Sequence, residues 1–190
     1  MARKYTRDDV DKLFEYNVDL SSRTVILDDD IHDYSTSTVI KALHVMDRTA
    51  GEITIKLCSC GGEWYPGMAV FDAIKACTNQ VRIVAMGQAM SMGAVILQAG
   101  DVRALMPNTT VMVHYGSDWF GGHTKDLERR ADESKRTCIV MEDIFLEGIR
   151  EKHPTYTRED FKHQFAFDVF MSADEAVALG LADEIIYPTH

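Results

Sequence analysis

VRIVAMGQAMSMGAVILQAG, residues Val81 to Gly100, decides how this chain is read. A β-rich run (Val81, Ile83, Val84, Ala85) ends at Gly87. Ser91 then precedes an apolar segment, Met92 to Ala99, which Gly100 closes in the manner of a helix C-cap. The pattern predicts a buried strand, a sharp glycine-bearing turn, and a helix that begins at Ser91. Backbone N–H groups at a helix N-terminus have no intrahelical acceptor, and the macrodipole is positive there. An oxyanion formed when Ser91 attacks a carbonyl would therefore meet donors already in place. Serine is also a preferred N-cap residue, and alone the position argues for a cap more often than for a nucleophile.

Residues further along shift that balance. Thr109 to Gly116 (TTVMVHYG) reads as a second short β run that delivers His114 at its end. Phe165 to Asp183 places Asp168 just before a capped helix, with Asp183 a weaker candidate for the same role. A serine, a histidine and an acid are the parts required for nucleophilic acyl transfer.

Outward from this core the chain alternates strand and helix. Thr24 to Leu27 begins a first strand. A helix capped by Ser35 or Ser37 and running to about Thr49 carries an apolar stripe of Val39, Leu43 and Met46. Ile53 to Cys58 is a β run, Ser59 to Gly62 a loop, and Pro66 opens a helix at its N1 position that ends at Asn79. Such βαβ spacing predicts an α/β protein with a largely parallel sheet. From His123 to His153 a long helix shows Leu127, Ala131, Ser134, Cys138, Met141, Phe145 and Gly148 on one stripe. Its first half is nearly all polar, so that half must project or pair with another chain. Pro154 ends it. Thr157 with Asp160 caps a short helix, and Ser172 with Glu175 forms a capping box for Ala173 to Leu179, closed by Gly180. Residues 1–19 are a short helix over Arg7 to Tyr16 or an arm.

Composition narrows the function classes. The chain has 190 residues, 46% of them hydrophobic, which suits one domain with a substantial core. A formal net charge of -10, with no compensating Lys/Arg cluster, argues against a nucleic-acid partner. Cys58, Cys60, Cys77 and Cys138 read as free thiols in a reducing compartment. They lack the spacing of a zinc site, so no metal or other cofactor is expected. No apolar run is long enough to span a bilayer, and no leader pattern is present, so a cytoplasmic protein without membrane association is expected. The remaining histidines (His32, His44, His123, His153, His163, His190) have no ligand spacing and receive no role. No Walker-type phosphate loop occurs, so this chain is not expected to hydrolyse ATP.

GQAMSMGA around Ser91, PNTTVMVHYG around His114, DVFMSADEAVALGLAD from Asp168 and SCGGEWYPGMAVFDAI from Ser59 resemble the signature segments of the Clp protease proteolytic subunit. The resemblance covers about residues 20 to 187. It implies a crotonase-like superhelix of ββα units with a projecting handle helix at about 123–153. It also implies a serine endopeptidase in which Ser91 is nucleophile, His114 base and Asp168 the orienting acid. By the same resemblance the Gly61 and Met92 N–H groups form the oxyanion hole. Gly62, Gly116 and Ser117 bind substrate, helped by a loop from Gly116 to Gly122 that contains Trp119 and Phe120. Partners implied are further copies of the chain in heptamer rings, stacked into a tetradecamer, an AAA+ unfoldase, and peptide or unfolded protein substrate.

The chain departs from the family pattern at three places. Cys60 stands where the family has proline, which predicts a looser loop with its oxyanion hole kept. Ala166 and Phe167 stand where an acid and an arginine link ring contact to active-site alignment, which predicts altered ring stacking. Met1 to Asp19 lacks the apolar segment that lines the family's axial entrance. Two competing functions are an acyl-CoA enzyme of the crotonase type, using paired N–H groups on an enolate, and a non-catalytic ring subunit. The complete Ser91, His114 and Asp168 set disfavours both.

Overall fold

A computed structural model describes residues 6–117 and 121–187. Trp119, Phe120, His190 and the first five residues of the expected N-terminal arm lie outside these. The described chain opens with α1 (Arg7–Tyr16), the helical one of the two alternatives read for this stretch, followed by β1 (Val18–Asp19) and β2 (Thr24–Leu27). Then come α2 (Asp33–Met46), β3 (Ile53–Ser59), α3 (Trp64–Lys75), β4 (Val81–Met90), α4 (Met92–Leu97), β5 (Val102–Leu105) and β6 (Thr110–Val113). The last elements are α5 (Thr124–Lys152), α6 (Arg158–Gln164), β7 (Val169–Met171), α7 (Ala173–Leu179) and β8 (Glu184–Ile185).

Among the described residues the strands form one eight-stranded sheet in the order β1-β2-β3-β4-β5-β8, with β6 on β4 and β7 on β6. Pairing is parallel from β2 through β5 to β8, and antiparallel only at β1 with β2 and at β6 with β7. This is the mixed α/β architecture with a largely parallel sheet that the alternating pattern predicts. Ile53, Ile55, Leu57, Val81, Ile83 and Leu105 are fully buried between the sheet and its helices.

Strand β4 does not stop at Gly87, as the sequence suggests. Gly87 adopts φ +69 within it, beside a register shift at Leu57 and Ser59 of β3. Up to Ala85 the strand pairs with β5, and from Gln88 to Met90 it pairs with β6. The glycine thus marks where β4 changes neighbours, a bulge-like bend that aims its C-terminal end at the site.

Several helix ends differ from expectation. In α2 the N-cap is His32, not Ser35 or Ser37: its Nδ1 accepts from the N–H groups of Tyr34 and Ser35, while Ser35 Oγ accepts the His32 N–H. Imidazole thus performs the job usually given to a hydroxyl. In α3, Pro66 is the third residue, where its missing N–H is still one of the unpaired four. That helix ends at Lys75 with Ala76 as its cap, short of Asn79, which instead gives Nδ2 to Asp47 and accepts the Gly51 N–H. Helix α4 stops at Leu97 with Gln98 as a right-handed cap, so Gly100 is not a left-handed terminator. A Cβ on Gly100 would lie 2.9 Å from Ile83 Cγ1, and packing explains the glycine. The two capping boxes, at Thr157 with Asp160 and at Ser172 with Glu175, and the left-handed Gly180 are as predicted.

Asp47, the cap residue of α2, ties that helix to the turn before β4. Its carboxylate accepts the N–H groups of Asn79 and Thr78 and the Asn79 amide. The Asn79 N–H foremost, then the Thr78 N–H, bring its pKa down from 3.8 to about 2. A folded pKa below the unfolded one means the contribution is complete above pH 4 and is lost as pH falls from about 4 to 2. Asp47→Asn should therefore flatten the acid-unfolding curve in that window, measured by circular dichroism. An unchanged curve would count against this anchor.

Candidate active site

Ser91 stands between β4 and α4 with φ +51 and ψ -120, a conformation that residues with a Cβ rarely adopt. Its N–H donates to the Met112 carbonyl of the neighbouring strand, and its carbonyl accepts from Ala94 and Val95 in the first turn of α4. Every residue of α4 is buried. Burying Ile96 and Leu97 contributes roughly 1.5–3 kcal/mol each, enough to offset backbone strain of about 1–3 kcal/mol at Ser91. The strained turn lifts the serine clear of the sheet at the positive end of the helix. Ser91→Gly should accordingly unfold at higher temperature than Ser91→Ala at matched protein concentration. The gain is about 1 kcal/mol once the entropy of glycine is subtracted. Equal stability would mean that the turn is not strained.

The other two expected residues converge on it. His114 follows the last residue of β6, and its Nε2 lies 2.8 Å from Ser91 Oγ. Asp168 immediately precedes β7, the strand paired with β6, and its Oδ1 is 3.2 Å from His114 Nδ1. With Nδ1–H donating to the carboxylate, Nε2 is left as the acceptor for the serine hydroxyl. Asp183 is excluded from this role. It receives the Arg103 backbone N–H at 2.7 Å and the guanidinium at 2.5 Å. Burial would raise its pKa, but the Arg103 hydrogen bonds outweigh that and lower it.

The glycine loop corrects one expectation. The Gly61 N–H, expected to face an oxyanion, instead donates to Ser59 Oγ at 3.1 Å. Gly62 forms a parallel bridge with Ile31, in which the Gly61 carbonyl and the Glu63 N–H bond the Ile31 backbone. In such a bridge the N–H of the central residue points to the other side. Gly62, unlike Gly61, lines the cavity beside Ser91. Both glycines have positive φ, +109 and +145, so the tight turn read from the sequence is also present. Cys60 is exposed, and its thiol donates to Asp30 Oδ1, tying this loop to the segment before α2; that hydrogen bond, then burial, raises the thiol's pKa.

The cavity holds about 410 Å³ and is lined by Ser91, Met92, His114, Gly62, Gly116 and Ser117, which brings together the expected site residues apart from Asp168 and Gly61. Trp64 and Val95 add apolar surface, and Ser134, Thr137, Cys138 and Met141 of α5 form a wall. Trp64 and the α5 residues are absent from the sequence-based site list. Position after a glycine loop was the only available signal for Trp64. Tyr65 reaches from the start of α3 to Glu133 on α5 at 2.8 Å, holding that wall in place. Among the described residues no group of three or more His, Cys, Asp or Glu could hold a metal ion. None of the described helices is long and apolar enough to cross a membrane.

Such a site, a strained serine at a helix N-terminus hydrogen-bonded to a histidine that an aspartate orients, has the parts of an acyl-transfer centre on an α/β scaffold. Comparison with known proteins gives it a family: the chain belongs to the Clp protease family, whose pattern it matches over residues 9–189, and so is a peptidase by family. It is 33% identical over 174 residues to the ATP-dependent Clp protease proteolytic subunit of Deinococcus radiodurans, covering 90% of this chain and 83% of that one.

Proposed function

We propose that this chain is a serine endopeptidase subunit of a self-compartmentalised Clp-type protease. The observation that carries the reading is the 2.8 Å approach of His114 Nε2 to Ser91 Oγ, backed by Asp168. His114 removes the Ser91 proton as Oγ attacks the peptide carbonyl carbon, and Asp168 stabilises the imidazolium that forms. The oxyanion takes hydrogen bonds from the Met92 N–H and, in place of Gly61, the Gly62 N–H. His114 then gives the proton to the departing amine, leaving an acyl ester on Ser91. A water molecule, deprotonated by His114, hydrolyses that ester and restores the serine. Gly62, Gly116 and Ser117 border the cavity where the peptide backbone would lie.

Assembly belongs to the same reading. The part of α5 from Thr124 to Val140 has no buried residue, whereas Met141, Phe145, Leu146 and Ile149 are buried. A polar helix half that leaves the core fits a handle between stacked heptamer rings of a ββα superhelix, forming a tetradecamer. An AAA+ unfoldase would then supply unfolded protein, and a cytoplasmic location would suit the free thiols. Incubation with a fluorophosphonate, followed by peptide mass mapping, tests the chemistry: the reagent should add to the peptide bearing Ser91 and to no other. Failure of assembled protein to react there would end the proposal.

A further inference from the structure

Glu142 is a carboxylate that the proposed chemistry does not use, yet it is only 3% exposed in the middle of α5. Burying a charge in this way is costly unless it is paired and hydrogen-bonded. Both conditions are met. One oxygen accepts the Tyr115 hydroxyl at 2.8 Å, and the other pairs with the guanidinium of Arg158, the first residue of α6. Arg158 also reaches Asp143, so its planar fork spans two carboxylates. Tyr115 packs edge-on to Phe161, which stacks on Phe145 and touches Phe165, three rings that are fully buried. Burial foremost, then the Glu142 hydrogen bond, push the phenol well above its usual range. The phenol is the donor in its hydrogen bond to Glu142.

The location matters because Tyr115 is the neighbour of His114. Strand β6 ends at Val113, and the next residues belong to no ladder. In extended chain, consecutive side chains point to opposite faces. His114 is aimed at Ser91, and Tyr115 is aimed at α5 and α6. Beyond it the chain turns at Gly116 with φ +77, and His114, Tyr115 and Gly116 all border the cavity. A tether on Tyr115 holds the 114–115 peptide from α5, the helix that walls the cavity. We infer that the Tyr115–Glu142–Arg158 network positions His114 for proton transfer, with Tyr115 and Glu142 acting as positioning residues that fasten the histidine to the long helix. This rests on the peptidase reading above.

The test compares Tyr115→Phe, Glu142→Gln and Glu142→Leu with wild type in steady-state hydrolysis of a short fluorogenic peptide, with Ser91→Ala as blank. Phenylalanine keeps the ring packing and removes only the hydroxyl. Glutamine keeps an oxygen for Tyr115 to donate to and removes the charge facing Arg158. We expect Tyr115→Phe and Glu142→Leu to lower kcat about tenfold with KM nearly unchanged, a loss confined to the transition state. Glu142→Gln should stay within about threefold of wild-type kcat while unfolding at lower temperature. A brace that served stability alone would move the unfolding temperature and leave kcat of the folded enzyme intact. Wild-type kcat in Tyr115→Phe overturns the inference, as does Glu142→Gln falling as far as Glu142→Leu. Wild type without Ser91-dependent turnover overturns the peptidase reading first, and this inference with it.

Discussion

Replacing Ser91 by alanine will lower kcat/KM for a short peptide by about 10⁴-fold or more, to what binding and oxyanion stabilisation sustain alone. The alanine keeps the chain's Cβ, so the turn, the cavity and its donors remain while the attacking oxygen is gone. His114→Ala should cause a loss of similar size, because without a base 2.8 Å away the hydroxyl remains a poor nucleophile. The double variant should be little worse than either single one, since the two groups act as a unit. Asp168→Asn should cost less. The Asp168 side chain is 60% exposed, so water screens part of its hold on the imidazole. Residual activity above a tenth of wild type in Ser91→Ala would show that the nucleophile lies elsewhere.

Gly61→Ala will also disable the enzyme, by about 10²–10³-fold in kcat, although its own N–H faces away from the cavity. A Cβ there would lie 2.6 Å from Ser91 Cβ, 2.9 Å from the Met90 carbonyl oxygen and 3.1 Å from the Met92 nitrogen. Two of these three atoms are backbone in the turn that presents the nucleophile, so relief requires moving Ser91 or the Met92 donor. The glycine's φ of +109 adds a backbone penalty of about 1–3 kcal/mol for any side chain. Gly51→Ala is the control: its φ of +137 is also positive, but among the described residues the atoms nearest a Cβ would be the end of the Arg23 side chain, 3.2 Å away at Nε. Kinetics of both variants should separate a strained backbone from a displaced nucleophile. Equal activities would remove the role assigned to close packing at Gly61.

The sequence shows the site better than it shows the ends of the helices that hold it, for a physical reason. Ser91, His114 and Asp168 each sit where a regular element starts or stops, and the apolar runs that define those elements are long or well capped. Capping boxes are local, so Thr157 with Asp160 and Ser172 with Glu175 could be read directly. Caps that draw on unusual groups could not. The hydroxyls of Ser35 and Ser37 outcompete His32 in any reading based on residue type, and only the folded chain places the imidazole against Tyr34 and Ser35. Gly61 and Met92 are named as oxyanion donors by the resemblance alone. Choosing between Gly61 and Gly62 depends on Ser59 Oγ turning back and on Ile31 pairing from outside the motif. Such long-range pairings leave no mark in a local pattern. The same limit hid the α5 wall of the cavity and the Glu142 tether, because partners from α5 and α6 meet across a turn.

The pairing of β7 with β6 also has a consequence in time. Ser91 and His114 can meet once β4 and β6 have joined, but Asp168, just before β7, is synthesised only after the long helix α5 and the short α6. A nascent chain therefore holds Ser91 and His114 before Asp168 exists to pair with the imidazole. On the peptidase reading proposed above, the order of elements along the polypeptide would leave that pair without its orienting acid until the chain is nearly complete.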